Sequence, residues 1–534
     1  LIHLQKLNLF GLKFANQHKY MPKRKTSKYL YLLVLSLLIN ASLFAQPIKK
    51  LKIIQADYLE GIDNKSGKLK KLIGNVILEH EGALMYCDSA YHFENKNYFE
   101  AYNNVRINQG SDFNLTGHFL HYNLETKLAE VDHNVVLSDK DMTLSTPHLT
   151  YHMESKIASY RLGATIVDSA NTLTSKQGYY YSNTKDMYFK HDVVLVNPDF
   201  TMHTDSLRYN ANNRVATFLG PTTIDGDDSE VYCEAGWYNT NSKKAEFRKN
   251  AYVFSNSRKI YGDKLLYNDN TGDAHAEGMV RIIEEKDNTE IKGNLSFHDE
   301  LKNTTWITDS ALFIKYMDDD TLFMHSDTLK IIKIPATDDN IIVAYYKVKL
   351  FSTNFKLKCD SLSYQTIDSS FLIYVEPVLW FDSSQITGDF IQIYTSNQNL
   401  DKMDVNGSSF MIEMVDSSRF NQIKGKNLQA YFLENKLDNI FVKGNAESLY
   451  YLQDSEKKYI GRNNIQSSTI DIKMKDNKID EIRFNLQPEG IVQPAKNMDK
   501  NDPLLKDFRW RQKEKPVKFE DIFKRDNGLT NTVE

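Results

Sequence analysis

Cysteine is almost absent: Cys87, Cys233 and Cys359 are the only three in 534 residues. That is too few for a disulfide scaffold, and no Cys-x-x-Cys spacing or Cys/His cluster marks a zinc site. With 11 prolines and 23 glycines, the chain is neither collagen-like nor dominated by linkers. Tryptophan is scarce at 4, whereas 31 Tyr and 28 Phe favour pleated, half-buried surfaces and hence β-structure. Acidic residues are missing from the first 45 positions, which hold seven of the 66 Lys and Arg. The remainder therefore carries 59 basic groups against 70 acidic ones, a net −11. A nucleic-acid binder normally shows the opposite sign. There is no nucleophile elbow, phosphate loop or dinucleotide fingerprint, so no catalytic residue, metal ligand or cofactor is assigned.

The N-terminus reads as an export signal. Met21 is the first methionine, followed by Lys23, Arg24, Lys25 and Lys28, then the 11-residue apolar stretch Tyr29 to Ile39, then Asn40-Ala41-Ser42-Leu43-Phe44-Ala45. A basic start, a short apolar run and a small terminal residue make a secretory signal, with cleavage expected between Ala45 and Gln46. An uncleaved anchor is the competing reading, but the stretch is shorter than the 18 or more residues a span needs. Residues 1–20 are read as upstream sequence, and the expected location is the periplasm, with outer-membrane association as an option.

What the chain has in abundance is repetition. Aromatic residues preceding polar turns fall at Phe93, Tyr122, Tyr151, Tyr181, Tyr209, Tyr238, Tyr267 and Phe297, at intervals of 29, 29, 30, 28, 29, 29 and 30. Turn residues follow most of them, as in Asn210-Ala211-Asn212-Asn213 and Asn268-Asp269-Asn270-Thr271-Gly272. In phase with them run apolar pairs at i and i+2: Val76/Leu78, Val105/Ile107, Val135/Leu137, Val193/Leu195 and Val280/Ile282. Period-two spacing puts both members on one strand face. A second set of turns falls at Asn108-Gln109-Gly110-Ser111, Ser138-Asp139-Lys140-Asp141, Asn197-Pro198-Asp199 and Asp225-Gly226-Asp227-Asp228.

Each repeat thus reads as two strands and two turns. The expected fold is all-β: an antiparallel array of about 29-residue repeats forming two opposed sheets, with a continuous apolar interior. The interior strip expected to hold lipid comprises Val76, Leu78, Val105, Ile107, Val135, Leu137, Val193, Leu195, Val280 and Ile282, with Tyr122, Tyr209 and Tyr267.

The expected boundaries are 1–45 for upstream residues and signal, 46–300 for the regular repeats, 301–495 for a second, less regular β-region, and 496–534 for a charged tail packed on the surface. Cys87 and Cys233 are 146 residues, or five repeats, apart. At about 4.8 Å per stacked strand that places them roughly 24 Å from each other, too far for a disulfide, so all three thiols are expected free and buried. His118, His121, His148 and His152 show no recurring ligand spacing. The acidic runs 225–228 and 318–320 match no calcium loop and read as solvated turns.

Units such as Asp57-Tyr58-Leu59 … Leu72-Ile73-Gly74-Asn75-Val76 and Gly262-Asp263-Lys264-Leu265-Leu266-Tyr267 … Glu277-Gly278-Met279-Val280 resemble the OstA-like (organic-solvent-tolerance) repeats. The likeness is good over about 50–300 and weak beyond. With Asp319-Asp320-Thr321-Leu322 and Gln385-Ile386-Thr387-Gly388-Asp389, the whole resembles long Bacteroidota-type members. The resemblance implies a β-jellyroll or β-taco that holds acyl chains between two walls, acting in lipopolysaccharide transport and outer-membrane assembly, and not an enzyme. Implied partners are lipopolysaccharide and transport-machinery proteins joined by edge-strand pairing.

The physics of lipid carriage agrees. An acyl chain in water costs about 0.8 kcal/mol per CH₂, so 14 carbons cost roughly 10 kcal/mol, and an apolar slot removes most of it. Two alternatives stand beside this: a purely structural envelope scaffold with a dry core, and a carbohydrate-active enzyme on a parallel β-helix.

Overall fold

The reason each repeat is a pair of strands rather than a helix lies in strict alternation. In Phe113–Asn123, for instance, Leu115, Leu120 and Tyr122 are fully buried while their neighbours are wetter. A computed structural model describes residues 50–525, apart from 65–66, 111–112, 141, 169, 256–257, 318–319, 338, 382, 397–398, 457, 476–477 and 499–502. The signal segment, the start at Met21, the Ala45–Gln46 junction, and Asp318 and Asp319 of the acidic run lie outside the described residues. No α-helix occurs among the described residues, and every strand pairing is antiparallel. The described residues from Ile53 onward form one compact unit.

Consecutive strands pair with one another: Gly67–His80 with Ala83–Phe93, that with Tyr98–Gln109, and on through Phe113–Asn123, Leu128–Ser138 and Thr143–His152. Each repeat contributes two such strands. The ladder continues across residue 300, where Thr304–Thr308 pairs with Thr289–Asp299. Later units are longer, with strands of 16 and 18 residues at Asn399–Met414 and Lys436–Gln453.

Most of these strands bend at their midpoint. The register slips between Ile73 and Val76, Tyr102 and Val105, Asp132 and Val135, Lys190 and Val193, and Arg248 and Ala251. The two residues skipped there have left-handed backbone, as at Asn103 (φ 61°) and Asn104 (φ 46°), or Lys249 (φ 60°) and Asn250 (φ 53°). Such bulges bend a strand and sharpen its twist.

An acidic residue on the adjoining strand clamps several corners. Asn75 and Asn104 donate to Asp57 and Asp88 at 2.9 Å, and Asn250 to Glu234 at 2.7 Å. Gly74 (φ +75°) shows why its corner admits no side chain: a Cβ would lie 2.3 Å from the Asp57 carboxylate.

Inside the bend there is room only for small side chains. Position by position along the ladder stand Cys87, Gly117, Thr146, Ser175, Thr204, Cys233, Gly262, Gly293, Ser326 and Cys359. At Gly117 a Cβ would meet Val131 at 2.4 Å. The three cysteines are members of this series, free and buried as expected. Their separation needs correction. The two walls are the two halves of one folded ladder, so a repeat adds two strands to each wall. Cys87 and Cys233 therefore lie ten strands apart, about 48 Å, not the 24 Å expected from one strand per sheet. Three aromatic markers are also off phase: His92, Tyr180 (buried at 3%) and His298 occupy the repeat position, and Phe93, Tyr181 and Phe297 are their neighbours.

The charged tail packs on the surface, against the outside of the wall opposite the aromatic turns. Gln422 donates to the Pro503 carbonyl and accepts from the Leu505 N–H, and Gln385 does the same for Arg509 and Arg511. Leu505 joins Phe410, Ile412, Leu449 and Tyr451, while Ile522 joins Leu312 and Ile314.

Two outcomes follow from these placements. Leu137 is fully buried and Leu195 only half-buried. Leu137→Ala should cost about 3 kcal/mol in urea unfolding, and Leu195→Ala about 1 kcal/mol. Burial pushes Cys87 up to about 12 and Cys233 up to about 11, and raises Cys359 further still. Ellman's reagent at pH 8 should therefore find no reactive thiol in the native protein and three after unfolding.

Candidate functional site

An uninterrupted cross-strand row of apolar side chains runs along the inner face of one wall. It passes from Leu78 through Ile107, Leu137, Leu195, Ile260 and Leu350 to Ile423, each rung opposite the next in register. The facing wall carries a second row near its rim, in which large and small alternate: Tyr122, Ala129, Tyr151, Ala158, Tyr180, Met187, Tyr209, Ala216, Tyr238, Ala245, Tyr267 and Ala274. Between these rows lies the trough.

Over the first repeats the trough is shut. His80 Nδ1 and the Tyr122 hydroxyl, on opposite rims, lie 2.7 Å apart, and Tyr151 donates to Gln109 Oε1 at 2.6 Å. Tyr180 donates to Asp139, which also pairs with Lys185 at 2.6 Å. Lys127 reaches Glu81 across the mouth at 3.2 Å. Phe113 stacks on Tyr151 with ring centroids 4.4 Å apart. Burial works against the Asp139 carboxylate, but hydrogen bonds from Lys185, Tyr180 and the Lys140 N–H outweigh it and hold the group below the usual range. Burial likewise raises Tyr122 and Tyr151, keeping both phenols neutral.

Between Leu195 and Ala274 the trough is open. Leu195, Ile224, Val231, Val253 and Ile260 on one wall are half-buried, as are Tyr209, Tyr238 and Ala274 on the other, and Tyr267 is 41% exposed; Met202, between Leu195 and Ile224, and the facing Ala216 and Ala245 stay buried. Deeper positions, such as Val193, Thr222, Cys233 and Ala251, remain sealed. The cause is side-chain size at the rim. Where the closed section has His80, Gln109, Phe113 and Met142, the open one has the short run Gly226, Ser229 and Ser255, too short to reach the opposite tyrosines, with the larger Phe200 and Arg258 only at its two ends, Arg258 being paired with Glu284. Among the described residues, the hydroxyls of Tyr209, Tyr238 and Tyr267 have no hydrogen-bond partner. Past Ile282 the mouth closes again, with Phe313 against Tyr364 and Asn340 donating to Glu284 at 3.4 Å.

The sequence-derived strip thus divides. Val76, Leu78, Val105, Ile107, Val135, Leu137, Val193, Val280, Ile282 and Tyr122 are at most 2% exposed and touch only protein. Leu195, Tyr209 and Tyr267 face the open section. Ile224, Val231, Val253 and Ile260 also line it and were not singled out, because no Val-x-Leu pair marks their strands; Tyr238, one of the repeating aromatics but not placed in the lipid strip, lines it too.

A second signal in the sequence passed unnoticed. Five residues after five of the six in-phase tyrosines stands a base: Lys127, Lys156, Lys185, Arg214 and Lys243, 29 apart throughout, while Gly272 follows Tyr267. Each sits at the same left-handed turn position, with φ between 56° and 60°.

Residues 48–205 and 201–263 match the family model described as OstA-like protein. This stretch is OstA-like. It contains the sealed repeats and most of the open trough. OstA-like proteins are a transport and binding family, related to lipopolysaccharide handling, rather than a family of enzymes. No curated protein sequence matches the chain. Among the described residues, no three His, Cys, Asp or Glu side chains gather to hold a metal. His148 instead pairs with Asp132 at 2.6 Å. No helix among those residues is long and apolar enough to cross a membrane.

Asp139 gives the clasps a pH signature. Its folded pKa is depressed, so its contribution is present above the ordinary carboxylate pKa of about 3.9 and is lost as pH falls through the lower folded value. Hydrogen exchange at Tyr180 and Tyr181 should stay slow from pH 7 to about 4 and accelerate below that, beyond the intrinsic trend. Asp139→Asn should abolish the acid-dependent component.

Proposed function

We propose that the protein binds the acyl chains of lipopolysaccharide in the open trough between Leu195 and Ala274, and that it does so in the periplasm as part of transport to, and assembly of, the outer membrane. The observation carrying this reading is the set of half-buried apolar rungs, Leu195 and then Ile224 to Ile260 with the buried Met202 between them, at one section of an otherwise sealed ladder, within the OstA-like stretch. Soluble proteins keep contiguous apolar surface out of water unless something covers it.

From Leu195 to Ile260 the wall spans five strand spacings, about 24 Å. Each methylene that enters contributes about 0.8 kcal/mol, irrespective of the head group. The half-buried tyrosines on the facing wall offer both an apolar ring and a hydroxyl to an amphiphile.

The sealed flanks fit a holding site rather than an open channel. A chain could advance toward Leu137 only if the clasps at Tyr151 and Tyr180 parted. The same sealing favours a scaffold role for the flanking repeats, whose dry interiors keep the ladder rigid. The last strands, Lys478–Asn485 and Glu489–Pro494, each pair on one side only with Tyr459–Lys475. They offer an edge to a partner's strand, as the proposed contact with other transport proteins needs.

The test is photo-crosslinking to purified lipopolysaccharide. A benzoylphenylalanine at Ile224, Val231 or Val253 should capture it, while one at Leu115 or Leu137 should not. Capture at none of the open positions would refute the reading.

A further inference from the structure

We infer that Arg214 and Lys243, on the rim of the open trough, bind the phosphate-bearing head group of the lipid whose acyl chains lie below. This rests on the trough being the acyl site. Lys127 and Lys185 occupy the same turn position one or more repeats earlier, and each spends its charge on a carboxylate of the opposite rim, Glu81 and Asp139. The partner stands 46 residues before the base in both cases.

The same offset from Lys156 lands on Gly110, from Arg214 on Asp168, and from Lys243 on Asn197. Gly110 has nothing to offer, and Tyr151 bonded to Gln109 already closes the mouth there. Asp168 is consumed by its own turn: its carboxylate accepts from the N–H groups of Ala170 and Asn171 and from the Asn171 side chain. Asn197 carries no charge; its amide donates to Asn171 and its oxygen caps Asp199. Among the described residues, neither Arg214 nor Lys243 has an ion pair.

The position of these bases is fixed by backbone. The Ala211 N–H donates to the Lys185 carbonyl at 3.1 Å, the Thr240 N–H to that of Arg214 at 3.0 Å, and the Asp269 N–H to that of Lys243 at 2.9 Å. Successive bases are therefore held two strands, about 10 Å, apart along the rim. At Lys127 and Lys185 a protein carboxylate supplies the anion, while at Lys156 the Tyr151–Gln109 bond closes the mouth without one. Where it is open, the anion has to come from outside, and it has to sit above an apolar floor. A phosphate on an amphiphile meets both conditions, and its oxygens suit the Arg214 guanidinium in particular.

The experiment measures binding of three amphiphiles to the full chain at low salt: bisphosphorylated lipid A, lipid A stripped of phosphate, and phosphatidylglycerol. The wild type should prefer bisphosphorylated over stripped lipid A by about tenfold, and 0.5 M salt should remove most of that margin. R214E/K243E should lose the preference while binding the stripped form within about twofold of wild type. R214Q/K243Q, the milder pair, should fall between. K127Q, a closed-rim control, should keep the full preference.

Equal sensitivity of phosphatidylglycerol to R214E/K243E supports phosphate recognition and assigns it to phospholipids as well. Binding of the stripped form without any phosphate preference, or a preference that survives R214E/K243E, overturns the head-group inference and leaves the acyl trough standing. A lack of binding by all three overturns both. An equal loss for stripped and phosphorylated forms in the variants marks the two bases as structural and overturns the inference.

Discussion

The structure depends on one constraint: a strand that bends must have nothing bulky inside its bend. Cysteine, glycine, serine and threonine at the inner corner, a pair of left-handed residues on the neighbouring strand and, at several corners, an acidic clamp recur along the ladder. Given that corner, each strand supplies both walls, and the apolar row beside it can run unbroken from Leu78 to Ile423. Without it, the same alternation would make a flat sheet with one greasy face in water. Because only the rim distinguishes open from shut, function is decided by a few side chains far from the bend. His80, Gln109 and Asp139 close the mouth, and the short run Gly226, Ser229 and Ser255, between Phe200 and Arg258, leaves it open.

Much of this was legible in the sequence. The 29-residue period, two strands per repeat, the turns and the buried thiols follow from spacing and alternation, which are local properties. Even the corner was written there, in the likeness of Ile73-Gly74-Asn75-Val76 and Glu277-Gly278-Met279-Val280, although its meaning as a bend was not. Reading one strand per sheet halved the distance between Cys87 and Cys233, because nothing in a linear pattern says that a strand belongs to both walls.

The aperture was not legible for a related reason. Whether Tyr122 is sealed and Tyr267 exposed depends on residues 41–46 positions away on the opposite rim, a pairing that appears only once the ladder folds over. The marker Tyr181 shows the limit of the pattern as well. Tyr179, Tyr180 and Tyr181 are consecutive, and only the pleat decides which of them faces inward. The row of bases five residues after the tyrosines from Tyr122 to Tyr238 is plain in retrospect, yet it acquires meaning only when Lys127 and Lys185 are seen to spend their charge across the mouth.

The central claim is that one inner row of side chains is accessible over a single section. A cysteine scan along that row measures it directly, since the three native thiols are buried. Single cysteines replacing rungs from Leu78 to Ile423 would be timed against a small maleimide in the native protein. The account requires fast modification at Leu195, Ile224, Val231, Val253 and Ile260, and slow modification at Leu115, Leu137, Leu350 and Leu379. Equal rates along the whole row, or a fast section elsewhere, would contradict it.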